Sequence, residues 1–249
     1  MDLGLTGKRA LVTGGSRGIG KAVARQLLEE GASVVIAARD RERLDSAVKE
    51  LSAYGTVHGV VVDTGSDESV AAMAQQARAL LGGIDILINN AAEPGGHTPP
   101  PKFGEVTTDA LLGEMNVKVM GYVRVAQAVA SSMIENGWGR IVNVSGLAAR
   151  RTGSMIGSAR NVAVSALTKN LADELGPKGI NVTCVHPGQT RTERTTENQA
   201  AQPAPNAIGR MVDAEEVATV ITFLASERSV AMTGDSIAVG GGDRGSIYY

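Results

Sequence analysis

The sequence predicts an α/β fold in which a doubly wound parallel sheet carries helices on both faces, and three observations support that prediction. Short apolar runs alternate along the chain with segments of helical periodicity, the mark of successive βαβ units. The runs are rich in Val and Ile and are continuous rather than alternating with polar residues, as expected of parallel strands covered by helices. The chain has 249 residues, 43% hydrophobic and 20% charged, which suits one large core. A single domain over residues 1–249 is expected.

The first strand is expected in KRALVT, followed after a glycine-rich turn by an Ala/Leu-rich helix to Glu30. ASVVIAA and DRERLDSAVKEL supply the second strand and helix, TVHGVVV and SDESVAAMAQQARALL the third pair, and IDILIN the fourth strand before a longer helical region. GRIVNVS is the fifth strand, SMIGSARNVAVSALTK opens the next helix, and GINVTCVH is the sixth strand. A helix near residues 214–226 and a short strand around Ser236–Val239 close the pattern.

Two segments break this rhythm, AEPGGHTPPPKFGE after the fourth strand and PGQTRTERTTENQAAQPAPNA after the sixth. Both follow the C-terminal ends of strands, where open parallel sheets bind ligands. The second, at about residues 189–210, is read as a substrate lid in preference to a disordered surface excursion.

Composition excludes several functions. A formal net charge of −2 favours neither nucleic acid nor an anionic membrane as partner. The one cysteine, Cys184, lies in an apolar run, so it is read as a core thiol, and no cysteine cluster for a metal exists. MDLGLTGKR leads directly into a strand-like run without signal-peptide regions, and no apolar run approaches about 18 residues. A soluble cytoplasmic protein is expected. No G-x-S-x-G elbow supports a serine hydrolase.

The strongest chemical signal is TGGSRGIG, residues 13–20, between the first strand and the first helix. Gly14 can leave the strand in a tight turn, Gly18 lets backbone approach a pyrophosphate, and Gly20 lets the helix pack closely on the sheet. The helix N-terminus then offers N–H groups and a positive dipole end to the phosphates. At the end of the second strand, the acid that would bind a ribose 2′-hydroxyl is replaced by Ala38, with Arg39 next to it. Arg39 and Arg17 suit a 2′-phosphate, so NADP is favoured over NAD. The competing reading leaves both arginines solvated and gives the ribose to Asp40.

TGGSRGIG, Asp63 after the third strand, INNAA at residues 88–92, MNVKVMG, HPGQTRT at residues 186–192 and the ending TGDSIAVGGG together resemble the short-chain dehydrogenase/reductase family over nearly the whole chain. Ala92 and Gly240 stand where the family usually has Gly and Asp. The resemblance implies a Rossmann-like domain with a seven-stranded sheet and a cofactor held by Gly14, Ser16, Arg17, Gly18, Ile19, Gly20 and Arg39. It further implies contacts at Asp63 and Asn90 and, around the nicotinamide, at Pro187, Gly188, Thr190 and Thr192. Homodimers or homotetramers, with helices 111–134 and 162–175 packed between subunits, are expected.

The family's catalysts are an Asn, a Ser, and a Tyr with a Lys four residues later. Asn116 is matched to the first. The Ser position falls at Gly146, with Ser145 immediately before it, and the stretch SALTKNLADELGPKGINV puts Gly157 at the tyrosine and Asn161 at the lysine. Glycine has no proton to donate, and a neutral amide does not lower a neighbouring phenol's pKa. His97, His186, Tyr248 and Tyr249 are read as surface, packing or terminal residues rather than replacement acids, and Lys118 and Lys169 as helix-surface residues. Two readings follow. One is an NADP-dependent oxidoreductase with a non-standard active site and slow turnover of a small-molecule carbonyl or alcohol. The other is a catalytically silent NADP-binding sensor or structural subunit. The first is preferred because the nicotinamide end of the site is retained.

Overall fold

The computed structural model describes residues 1–92 and 100–244. Its main sheet has seven parallel strands: β1 (Arg9–Thr13), β2 (Ser33–Ala38), β3 (Val57–Val61), β4 (Ile86–Asn89), β5 (Gly139–Val144), β6 (Ile180–Pro187) and a last strand, Ser236–Val239. The spatial order is β3-β2-β1-β4-β5-β6 and then the last strand. The chain therefore winds outward from β1 to β3, returns to pair β4 with the other side of β1, and winds outward again. The reversal between β1 and β4 opens a crevice at the C-terminal ends of these strands, the usual ligand position in such sheets.

Burial explains the continuous apolar runs. Ala10 and Val12 of β1 face one side of the sheet and Leu11 the other, in separate cores. Helices α1 (Gly18–Glu29) and α2 (Arg41–Leu51) cover the first side, joined by the helix Ala214–Leu224. α3 (Asp67–Leu81) covers the second. On that side the chain continues through α4 (Thr108–Glu114), a π-helical turn at Met115–Met120, α5 (Gly121–Asn136) and α6 (Met155–Leu175). Both faces of a strand are dry, so both parities must be apolar.

Polar residues set the helix ends. Asp40, Ser66, Thr107 and Ser154 cap α2, α3, α4 and α6 by accepting a backbone N–H of the first turn, each such cap being worth about 1 kcal/mol. Gly82 and Gly137 end α3 and α5 in the left-handed conformation. α1 differs, because Arg17 at its N-cap makes no side-chain capping bond. No described helix is long and apolar enough to cross a membrane.

The segment after β6 folds over the crevice. It contains β7 (Thr190–Arg191), the short helix α7 (Glu197–Ala200) and β8 (Val212–Asp213), which pairs with β7. With these introduced, the last strand of the main sheet is β9 and the helix Ala214–Leu224 is α8.

Candidate active site

The glycine-rich turn is built by close approach. Gly14 and Gly18 have φ of +65° and +52°, in the region that favours glycine. A Cβ on Gly20 would lie 2.3 Å from the carbonyl oxygen of Gly14, so only glycine lets α1 start against the end of β1. Thr13 donates its hydroxyl to Ile88 O (3.3 Å) and accepts the N–H groups of Asn90 and Ala91 (3.0 and 3.2 Å). Asn90 donates its amide to Gly14 O at 3.1 Å. These bonds tie β1 to β4 at the switch point.

Around this turn opens a cleft of about 1200 Å³. Gly14, Ser16, Arg17, Gly18, Ile19, Arg39 and Asn90 form one end of it, and Pro187, Gly188, Thr190 and Thr192 the other. Asp63 is not in its wall, although Val62 and Thr64 are; its carboxylate accepts the N–H of Gly65 at 2.9 Å. Gly188 packs on Gly240, where a Cβ would meet Leu147 Cδ1 at 2.3 Å. This contact leaves no room for a side chain at position 240.

A group of arginines gathers where β2 leads into α2. Burial, then the neighbouring charges of Arg194 and Arg43, lower the pKa of Arg17. Like charges held together in this way favour an anion between them. Asp40 is engaged elsewhere: its carboxylate accepts the N–H of Arg43 (3.0 Å) as the α2 cap and pairs with the Arg43 guanidinium at 3.1 Å.

The segment after β6 contributes an acid. Glu193 accepts the N–H of Gly18 at 2.9 Å and pairs with Lys21 at 3.0 Å, so a carboxylate sits on the N-terminus of α1. Burial opposes its ionisation, but hydrogen bonds from its own backbone, Lys21 and Gly18 prevail and hold its pKa below the usual range.

At the opposite end, the structure separates the residues that the sequence groups as catalytic. Asn116 lies in the π-helical turn, but its amide donates to Gly65 O (3.2 Å) and accepts from Arg124 (2.8 Å), and it is not a wall residue. Ser145 lines the cleft, yet its hydroxyl donates to Asn161 O at 3.0 Å. Asn161 is 3% exposed and lines the cleft, and its side-chain oxygen has no hydrogen-bond partner among the described residues. A Cβ on Gly157 would crowd the hydroxyl of Ser154 at 2.8 Å, the same hydroxyl that caps α6.

Lys118 departs from its expected surface position. It is 4% exposed, lines the cleft and donates to Ser145 O at 2.9 Å. Burial, followed by the charge of Arg160, pushes its pKa down to about 7. The sequence carries a signal for this. The buried face of α5, taken back in steps of three and four from Met133 through Val129, Val125 and Tyr122, arrives at Lys118, so the helical period places it inward. Lys169, by contrast, is exposed and paired with Asp173. His186 is buried beside Ser165 (3.3 Å), its pKa pushed down to about 4 mainly by burial, and lies outside the cleft wall. His97, Tyr248 and Tyr249 fall outside the described residues.

Comparison with known proteins gives a consistent picture. A short chain dehydrogenase family model matches residues 8–203. The chain is 35% identical over 250 residues to a 3-oxoacyl-[acyl-carrier-protein] reductase of Aquifex aeolicus, covering 97% of this chain and 99% of that one. It is 37% identical over 255 residues to L-xylulose reductase of Mus musculus, with 97% and 98% covered. Among solved structures, L-sorbose reductase from Gluconobacter frateurii complexed with NADPH and L-sorbose superposes with a TM-score of 0.91 at 30% identity, over 99% of this chain and 100% of that one.

Proposed function

This chain belongs to the short-chain dehydrogenase family, and from that premise we propose that it is an NADP(H)-dependent oxidoreductase interconverting a small-molecule carbonyl and its alcohol. The observation that carries the reading is the turn from Gly14 to Gly20, which lines the cleft through Gly14, Ser16, Arg17, Gly18 and Ile19 and is drawn tight because a Cβ on Gly20 would strike Gly14 O. A dinucleotide fits this cradle. Its pyrophosphate would meet the N-terminus of α1, where Arg17 makes no side-chain capping bond and the Glu193 carboxylate accepts the N–H of Gly18, a position that favours anions through its N–H groups and dipole.

The 2′-phosphate favours NADP. Arg17, Arg39 and Arg43 line the cleft, while of the nearby acids Asp40 caps α2 and pairs with Arg43, and Glu193 is paired with Lys21. The L-sorbose reductase whose structure is similar was solved with NADPH, which supports the same choice. The nicotinamide end would lie against Pro187, Gly188, Thr190 and Thr192, and when bound it would supply or accept a hydride. The Gly188–Gly240 contact sets the depth of that wall.

A second reading, a silent NADP(H)-binding sensor or subunit, draws on Gly157, Asn161 and the engaged hydroxyl of Ser145. One experiment separates the two. NADPH and NADH are titrated by nicotinamide fluorescence, and NADPH consumption is then followed with a panel of ketones and aldehydes. Binding with consumption supports the enzyme, binding without consumption supports the silent protein, and absence of binding rejects both.

A further inference from the structure

The face of α6 toward the cleft brings no ionisable group from Gly157 or Asn161. The opposite wall brings one. Lys118 projects from the π-helical turn Met115–Met120, and such turns are frequent at functional sites because they re-aim side chains. Lys118 is buried and lines the cleft, and its Nζ makes one hydrogen bond among the described residues, to Ser145 O at 2.9 Å. An ammonium has three N–H donors, so two remain to be met from the cleft. Beside it, Asn161 is nine-tenths buried or more and holds an oxygen unpartnered among the described residues, and Ser145 links the two by accepting from Lys118 through its carbonyl and donating from its hydroxyl to Asn161 O.

We propose that Lys118 is the catalytic acid and base of this site, exchanging a proton with the oxygen of the substrate's carbonyl or alcohol; this rests on the oxidoreductase reading above. In the reductive direction the carbonyl carbon gains a hydride, the C–O π pair moves onto oxygen, and that oxygen forms an O–H bond as an N–H bond of the Lys118 ammonium breaks. The substrate is reduced and dihydronicotinamide is the electron donor. The neutral amine regains its proton from water entering the cleft. In the oxidative direction the neutral amine takes the hydroxyl proton.

The surroundings suit the role. A group that gives and takes protons near neutrality works best with a pKa close to the operating pH, and burial brings Lys118 to about 7. The charged and titratable groups facing it are Arg160 on α6, Cys184 and His186 on β6, and Glu114 and Tyr122 on its own helical stretch. Arg160 is paired with Glu114, whose carboxylate offsets only part of the charge by which Arg160 lowers the pKa of the amine. The hydroxyl of Tyr122 donates to Val144 O at 2.8 Å, and burial raises its pKa, keeping it a neutral phenol. His186, its pKa pushed down to about 4 by burial, is neutral near pH 7. Lys118 is therefore the group in this set that changes charge near pH 7.

Two readouts test the proposal. Competitive labelling of the whole protein with isotopically coded acetic anhydride over pH 5.5–10 reports the reactivity of each lysine. Lys118 should titrate near 7, against about 10.4 for an unperturbed lysine, and NADP⁺ should slow its labelling severalfold. Titration near 10, indifference to NADP⁺, or no label at any pH overturns the proposal. In turnover of NADPH with the carbonyl panel, Lys118→Met and Lys118→Arg should lower kcat by about 10² to 10⁴, abolish the inflection near pH 7, and leave the Kd for NADPH within about twofold, the range a role confined to proton transfer allows. Unchanged kcat in a Lys118→Met protein that binds NADPH overturns the role of Lys118 and leaves the oxidoreductase reading standing. Absence of turnover in the unmutated protein, with NADPH bound, overturns that reading and the role of Lys118 together.

Discussion

The carboxylate of Glu193 accepts the backbone N–H of Gly18 at 2.9 Å, placing a side chain of the segment after β6 on the N-terminus of α1. Lys21, 3.0 Å from the same carboxylate, completes the clasp. A dinucleotide pyrophosphate seeks the same N–H groups, so under the proposed function Glu193 and the cofactor would compete for one anion position. Glu193→Gln should therefore strengthen NADPH binding by roughly threefold to tenfold, about 0.7 to 1.4 kcal/mol. Fluorescence titration checks this, and weaker binding in the variant would contradict the competition.

The arginine group predicts cofactor preference. The unmutated protein should bind NADPH more tightly than NADH, and Arg39→Ala should erode the difference by about 1.5 to 3 kcal/mol, the worth of a charge-assisted contact. Equal affinities for the two cofactors before mutation would show the assignment to be wrong.

Burial of Lys118 predicts an unusual pH dependence of stability. Its pKa falls on folding from 10.5 to about 7. Below about pH 7 both states carry the charge and the whole burial cost opposes folding. Between 7 and 10.5 the unfolded chain binds more protons than the folded one, so stability rises with pH, and above 10.5 the cost is gone. At about 1.4 kcal/mol per pK unit, the cost at pH 6 is on the order of several kcal/mol. Lys118→Met should raise the Tm at pH 6. At pH 10 the gain should shrink or reverse, leaving mainly the unmet Ser145 carbonyl, about 1 to 3 kcal/mol. Equal Tm shifts at the two pH values would contradict the depressed pKa.

Apolar side chains on α4, α6 and the π-helical turn stand in solvent, among them Leu112, Met120 and Val162. A homodimer or homotetramer that covers them is expected, since exposed apolar clusters mark association sites. Light scattering at micromolar concentration should report an oligomer, and Val162→Glu should shift it toward smaller species. A monomer before mutation would reject the expectation.

The sheet was legible in the sequence because both faces of each strand are buried. Leu11 and Val12 serve opposite cores, so the runs are continuously apolar and their boundaries fall close to the observed ones. The glycine turn was legible too, since φ above zero and the approach of Gly20 to Gly14 O demand glycine itself. The catalytic end was less so. Lys118 is a charged residue in an apolar helical stretch, and an isolated lysine is ordinarily solvent-facing; only the inward period running through Tyr122 and Val125 reverses that expectation. Asn116 matches a pattern in type, but its amide is taken by Gly65 O and Arg124, partners that no local spacing announces. Glu193 lies 175 residues from Gly18, and that meeting depends on how the segment after β6 folds over the crevice.

The central claim is that this cleft performs hydride transfer although Gly157 and Asn161 supply no acid. Its most direct test is NADPH consumption by the unmutated protein with a panel of ketones and aldehydes, followed by absorbance from pH 5.5 to 9. The account predicts consumption that is fastest at low pH and declines through an inflection near 7, because reduction needs the protonated amine of Lys118, whose pKa burial sets at about 7. NADPH that binds and is consumed by no carbonyl at any pH would contradict it.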